Sequence, residues 1–177
     1  MKLLETNIVL IGMPGCGKTT IGKKLSEKIG VKFCDVDEYI VNYTKKSIGE
    51  LFLKGEDYFR RIEREAIKEL SKEYPQIIAT GGGVVKDSRN INELKKNGTI
   101  IFINRPLENI LSDINIKERP LLKEKPEKLY DIYKERYKLY KSYCNKEIIN
   151  KNLYNCIDDI CNYNKNIKLK NIIKSLK

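Results

Sequence analysis

The stretch Ile8-Val-Leu-Ile-Gly-Met-Pro-Gly-Cys-Gly-Lys-Thr-Thr20 constrains this chain more than any other. An apolar run rich in β-branched residues has the composition of a buried parallel strand. It breaks into a glycine-rich turn, and helix-forming residues follow from Ile21 to Lys28. The spacing Gly12-x-x-x-x-Gly17-Lys18-Thr19 between a strand and a helix is that of the phosphate-binding P-loop. Its glycines let the backbone curl so that successive N–H groups point at phosphate oxygens. The helix starting near Lys18 adds the positive end of its dipole. Gly15, Cys16, Gly17, Lys18, Thr19 and Thr20 are therefore the candidate nucleotide contacts. Lys18 is expected along the β- and γ-phosphates, and the Thr19 hydroxyl on Mg²⁺. An ordinary glycine-rich β-to-α turn is the competing reading, and the full motif in its required context argues against it. The stretch reads as a nucleoside triphosphate site.

Strand signals recur at Asn7–Ile11, Lys32–Cys34, Gln76–Thr80 and Thr99–Ile103, with helical patterns between them. Such alternation predicts βαβ units, hence an α/β fold with a mainly parallel sheet covered on both faces. The 177 residues suit one domain, spanning 1–177, with a real core. In open sheets of this kind ligands gather at the carboxyl ends of strands, so the informative residues should follow strands.

Composition narrows the partners. The formal net charge of +11 invites nucleic acid, but lysine is spread through the chain together with asparagine and isoleucine. That is a compositional bias rather than a patch, and it fits anionic small molecules better. From Asn164 to Lys177, apolar residues interleave with lysines, the pattern of an amphipathic helix with a solvated face. No run approaches the roughly 18 apolar residues of a membrane span. The N-terminal apolar run leads straight into the P-loop, so it is not read as a signal peptide. The five cysteines are scattered and there is no histidine to complete a zinc site, which points to reduced thiols in a cytoplasm.

Five further stretches carry candidate chemistry. Asp35-Val-Asp37 follows the second strand, and in extended chain its two acids point the same way. One is placed to meet Mg²⁺, directly or through water, and the other a substrate hydroxyl; helix capping is the plainer alternative. A helix expected from Gly55 to about Lys72 sets Arg60 and Glu63 side by side, which alone reads as a surface ion pair. Gly81-Gly82-Gly83 stands where many P-loop enzymes end a strand in an acid. Three glycines are costly to order, so they suggest a ligand approaching the main chain. Arg119, in the charged stretch 117–123, suits a covering loop that brings a cation over a transferring phosphoryl group, with an exposed linker as the alternative. Finally, a helix from about Glu127 to Cys144 carries Arg136 inside a stripe of Leu129, Ile132, Tyr133, Tyr140 and Tyr143. An arginine on an apolar face has an anion to meet or snorkels to the surface.

Together these motifs resemble the shikimate kinase family over roughly residues 5–144. The resemblance rests on the P-loop, Asp35-x-Asp37, Gly55-Glu56…Phe59-Arg60…Glu63, Gly81-Gly82-Gly83, Arg119-Pro120-Leu121-Leu122, and Arg136 with Tyr140. It implies transfer of the ATP γ-phosphoryl to the 3-hydroxyl of shikimate, in aromatic amino-acid biosynthesis. It also implies a three-layer nucleoside-monophosphate-kinase fold, with a five-stranded parallel sheet in order 2-3-1-4-5 flanked by helices. The substrate region would span about 35–63 and a mobile lid about 114–126. By the same resemblance Arg60 and Arg136 clamp the substrate carboxylate and Glu63 holds Arg60. Asp37 orients or deprotonates the attacking hydroxyl, and Gly81, Gly82 and Gly83 line the pocket. Thr19 and Asp35 hold one Mg²⁺, while Lys18 and Arg119 stabilise the phosphoryl in flight.

Members of that family often carry an arginine before the lid that packs on adenine, and Asn109-Ile-Leu-Ser-Asp113 has none. The implied partners are shikimate and ATP, with no nucleic acid and no membrane, and the chain is expected to be a monomer. Rival readings are another small-molecule or nucleotide kinase of the same fold, or a non-catalytic nucleotide-binding module. Paired, well-separated arginines fit a small carboxylate better than a base.

Overall fold

The computed structural model describes residues 4–113 and 127–175, with side chains up to residue 167. The first strand, β1 (Asn7–Ile11), is buried at every position, as its apolar run requires. It delivers the chain into α1 (Lys18–Ile29), which closes on Gly30 in the left-handed region. Next come β2 (Lys32–Asp35) and α2 (Val36–Thr44). Ser47 and Glu50 then form a reciprocal capping box that starts α3 (Ile48–Leu53). After α4 (Glu56–Leu70), β3 (Gln76–Ala79) is again fully buried and runs through the three glycines into a 3₁₀ turn, Val84–Lys86. The remainder is α5 (Ser88–Lys96), β4 (Gly98–Asn104), α6 (Leu107–Asp113), α7 (Glu127–Tyr143), β5 (Lys146–Ile149) and α8 (Leu153–Ser175).

The strands form one sheet in the order β2-β3-β1-β4-β5, every pair parallel. Val9 at the centre faces Ile78 on one side and Ile100 on the other. A parallel sheet needs cover on both faces. Here α1 packs on β1, β2, β3 and α8, while α5 and α7 pack on β4. The order 2-3-1-4-5 predicted from the resemblance is the order observed. The fifth strand lies outside the strand signals read from the sequence, because Lys146–Ile149 is a short edge with only Ile148 buried.

This topology decides where chemistry collects. The carboxyl ends of β1, β2 and β3 lead into the P-loop, into Asp35 with Asp37, and into Gly81–Gly83 respectively. Beyond them, α2, α3 and α4 pack on one another as a unit beside the sheet. Among the described residues, no helix is long and apolar enough to cross a membrane.

Candidate active site

The P-loop is braced from inside the fold. Gly12 adopts φ +148°, and a Cβ there would lie 2.5 Å from the Ile103 carbonyl oxygen, so only glycine fits. Gly17, at φ +98°, caps α1 without a side-chain bond, and the first turn of that helix carries no acid. The orphan N–H groups and the dipole are thus presented to an anion without competition. Lys18 is buried, and its ammonium donates to the carbonyls of Gly12 and Met13, at 2.9 Å each. Two bracing contacts were not foreseen from the sequence. The buried amide of Asn150 donates to the Cys16 carbonyl at 2.9 Å, and Arg105 donates to the Gly15 carbonyl at 3.4 Å. Both follow strand ends, β5 and β4, which is the positional signal that could have found them.

Thr19 donates its hydroxyl to Oδ2 of Asp35 at 2.7 Å. The other oxygen of Asp35 accepts the backbone N–H groups of Asp37 and Glu38, at 3.0 and 3.3 Å, and so caps α2. This corrects the reading of Asp35-Val-Asp37 as extended chain. Asp35 ends the strand, whereas Asp37 already lies in the first helical turn. A cap followed by two acids is a helix-start signal. Asp37 nevertheless lines the cleft. No cluster of three or more His, Cys, Asp or Glu side chains suited to a metal occurs among the described residues. The Thr19–Asp35 pair offers two hard oxygens on one spot, which fits Mg²⁺ completed by phosphate oxygens and water.

Between the P-loop and α4 lies a cleft of about 240 Å³, lined by Asp37, Phe52, Arg60, Glu63, Gly81–Gly83 and Arg136, among others. Glu63 is fully buried, not part of a surface pair, and accepts from Arg60 Nη1 at 2.8 Å. Burial pushes its carboxyl upward, against the pull of the Arg60 charge, and Asp37 adds to the upward push. Glu56 holds the opposite edge of the same guanidinium, accepting from Nε at 3.3 Å and Nη2 at 3.2 Å. The Arg60 guanidinium also lies 5.2 Å from the Phe59 ring centroid and 5.9 Å from that of Phe52. Its planar fork is thereby fixed in orientation.

The three glycines are explained by crowding from within. A Cβ on Gly83 would come within 2.2 Å of Arg60 Nη2, one on Gly82 within 2.8 Å of the Pro14 ring, and one on Gly81 within 3.0 Å of Asp37 Oδ1. The backbone is approached closely by the site's own side chains, and the same three glycines line the cleft. Tyr140 of α7 donates to the Gly82 carbonyl at 2.5 Å, and burial pushes its phenol upward. One helical turn earlier on α7, Arg136 lines the cleft with its side chain only 13% exposed. The structure brings Lys18, Thr19, Asp35, Asp37, Arg60, Glu63, Gly81–Gly83 and Arg136 to one side of the sheet. Arg119 and the expected lid at 114–126 lie outside the described residues.

Known proteins agree with this geometry. A family model described as shikimate kinase matches residues 14–165. The shikimate kinase of Clostridium botulinum (strain Alaska E43 / Type E3) is 52% identical over 147 residues, covering 83% of this chain and 89% of that protein. That of Clostridium beijerinckii is 50% identical over 158 residues, covering 89% and 94%. Among solved structures, the shikimate kinase from Acinetobacter baumannii in complex with shikimate superposes with a TM-score of 0.81 at 33% identity, covering 94% of each chain. A gluconokinase from Sinorhizobium meliloti reaches a TM-score of 0.63 at 12% identity, which shows a shared fold alone. The chain belongs to the shikimate kinase family.

Proposed function

We propose that this chain transfers the γ-phosphoryl of ATP to the 3-hydroxyl of shikimate, giving shikimate 3-phosphate and ADP. The observation that carries the reading is the pair of largely buried arginines, Arg60 and Arg136, in one small cleft beside the P-loop. The cleft volume of about 240 Å³ is below the roughly 300–1,000 Å³ usual for drug-sized ligands. In this reading Arg60, pinned by Glu56 and Glu63, and Arg136 receive the ring carboxylate through charge-assisted hydrogen bonds. Asp37, on the P-loop side, takes the ring hydroxyls, orients the attacking one and accepts its proton. Lys18 leaves its carbonyl partners to follow charge on the transferring group, and the open N-terminus of α1 holds the β-phosphate.

Thr19 and Asp35 would hold Mg²⁺, which supplies charge neutralisation between the phosphates. Arg119 takes a charge-stabilising role on sequence resemblance. The rest of catalysis is positioning rather than covalent chemistry. We assign the whole chain to one domain, with 35–63 as its substrate region and 114–126 as its lid. We further propose a protomer that works alone, and a reducing, cytoplasmic setting that suits the five scattered cysteines.

Arg136→Ala tests the clamp. It is expected to raise the KM for shikimate by about 10²-fold, the size set by losing a charge-assisted bond to a carboxylate. The KM for ATP should stay within about twofold of wild type. Equal effects on the two substrates would contradict the assignment.

A further inference from the structure

Five charged side chains run from one wall of the cleft to the other. Arg60 of α4 donates to Oε1 of Glu56, and the same oxygen accepts the Lys86 ammonium at 2.9 Å. Lys86 Nζ also lies 3.4 Å from Glu135 Oε1. Oε2 of Glu135 accepts from Nε of Arg136 on α7 at 3.1 Å. Cation and anion alternate along Arg60, Glu56, Lys86, Glu135 and Arg136. Lys86 belongs to neither wall: it ends the 3₁₀ turn that leaves the three glycines, and it ties α4 to α7.

The charge balance shows what Lys86 does for the two arginines. Three cations (Arg60, Lys86, Arg136) face three anions (Glu56, Glu63, Glu135). Lys86 shares Glu56 and Glu135 with the arginines and neutralises part of each carboxylate's charge, so less of it is left to compete with an incoming carboxylate. Without Lys86 the set carries one excess negative charge, and each glutamate is left to its arginine with no cation sharing it. The Arg60, Arg136 and Lys86 side chains are 14%, 13% and 30% exposed, so solvent screens them only in part. Several charges linked in one network are the situation in which such pairs matter. In keeping with this, the Lys86 ammonium is the largest cause holding the Glu56 carboxyl below its ordinary range.

We propose that Lys86 is a positioning residue for the acid-bearing substrate, setting the spacing and free donors of Arg60 and Arg136 without touching the substrate itself. This rests on the carboxylate-clamp reading given above. The test is steady-state kinetics of Lys86→Met and Lys86→Arg with shikimate, with its uncharged methyl ester, and with ATP. Coupling of this kind predicts a rise in the shikimate KM of about three- to tenfold in Lys86→Met. The ATP KM and the thermal midpoint should be close to wild type, and Lys86→Arg should recover most of the loss. The penalty in kcat/KM should nearly vanish with the methyl ester, which a merely structural role would not produce. If Lys86→Met folds poorly, Lys86→Gln serves in its place. A normal shikimate KM in the Lys86 variants beside an impaired Arg136→Ala overturns the positioning role alone. A normal shikimate KM in both overturns the clamp, and this role with it. An equal penalty for acid and ester also overturns the positioning role.

Discussion

Asp87 shows how much one carboxylate can carry at the rim of this site. It caps α5 by accepting the Arg89 N–H at 3.0 Å, and it pairs with the side chains of Arg89 and Arg64. The Arg89 side chain, then its backbone N–H and Arg64, push the carboxyl down to about 2 from an ordinary 3.8. The folded value is depressed, so this stability is present above the unfolded value and is lost as pH falls from about 4 through about 2. Asp87→Asn keeps a capping oxygen and removes the charge. After allowance for solvent screening it should cost about 1 kcal/mol near neutral pH. In urea titrations at a series of pH values, the gap between variant and wild type should close by about pH 2. A gap independent of pH would contradict the charge account. Glu63 slopes the other way: its raised carboxyl withdraws stability as pH rises past the ordinary carboxylate range.

At the level of elements, the glycine segment after β3 is the tightest joint. Gly83 has no positive φ, so its need for glycine is steric: the Arg60 guanidinium, fixed by Glu56 and Glu63, occupies the space a Cβ would take. Gly83→Ala should therefore displace Arg60 and raise the shikimate KM by about tenfold or more, a displacement penalty of roughly 1–3 kcal/mol. ATP binding, measured separately by calorimetry, should hold, and loss of both together would mean that the segment had collapsed. The three glycines and the P-loop were legible in the sequence because their geometry is written in consecutive residues. The helical start of α2 was misread because the capping role of Asp35 competed with strand alternation. Lys86 was invisible, since its partner Glu56 lies 30 residues away and nothing local announces the pairing.

Across the whole molecule, the parallel order β2-β3-β1-β4-β5 gathers every strand's carboxyl end on one side. Apolar runs foretold four of the five strands, β1 to β4, and the strand order came from motif resemblance, since pairing is a long-range property. The edge strand β5 escaped because four residues, of which only Ile148 is buried, carry too little signal. It still matters to the site, because Asn150 just beyond it braces the P-loop at Cys16. The fold alone does not choose an acceptor, since a gluconokinase shares it. In the function proposed above, the choice lies with Arg60, Arg136 and Asp37, which line the cleft. The most direct measurement is ADP release from ATP–Mg²⁺ with shikimate, against gluconate, quinate and nucleoside monophosphates as acceptors. Rapid release with shikimate and background rates with the others is the expected result. Silence with shikimate beside turnover of another acceptor would contradict the account.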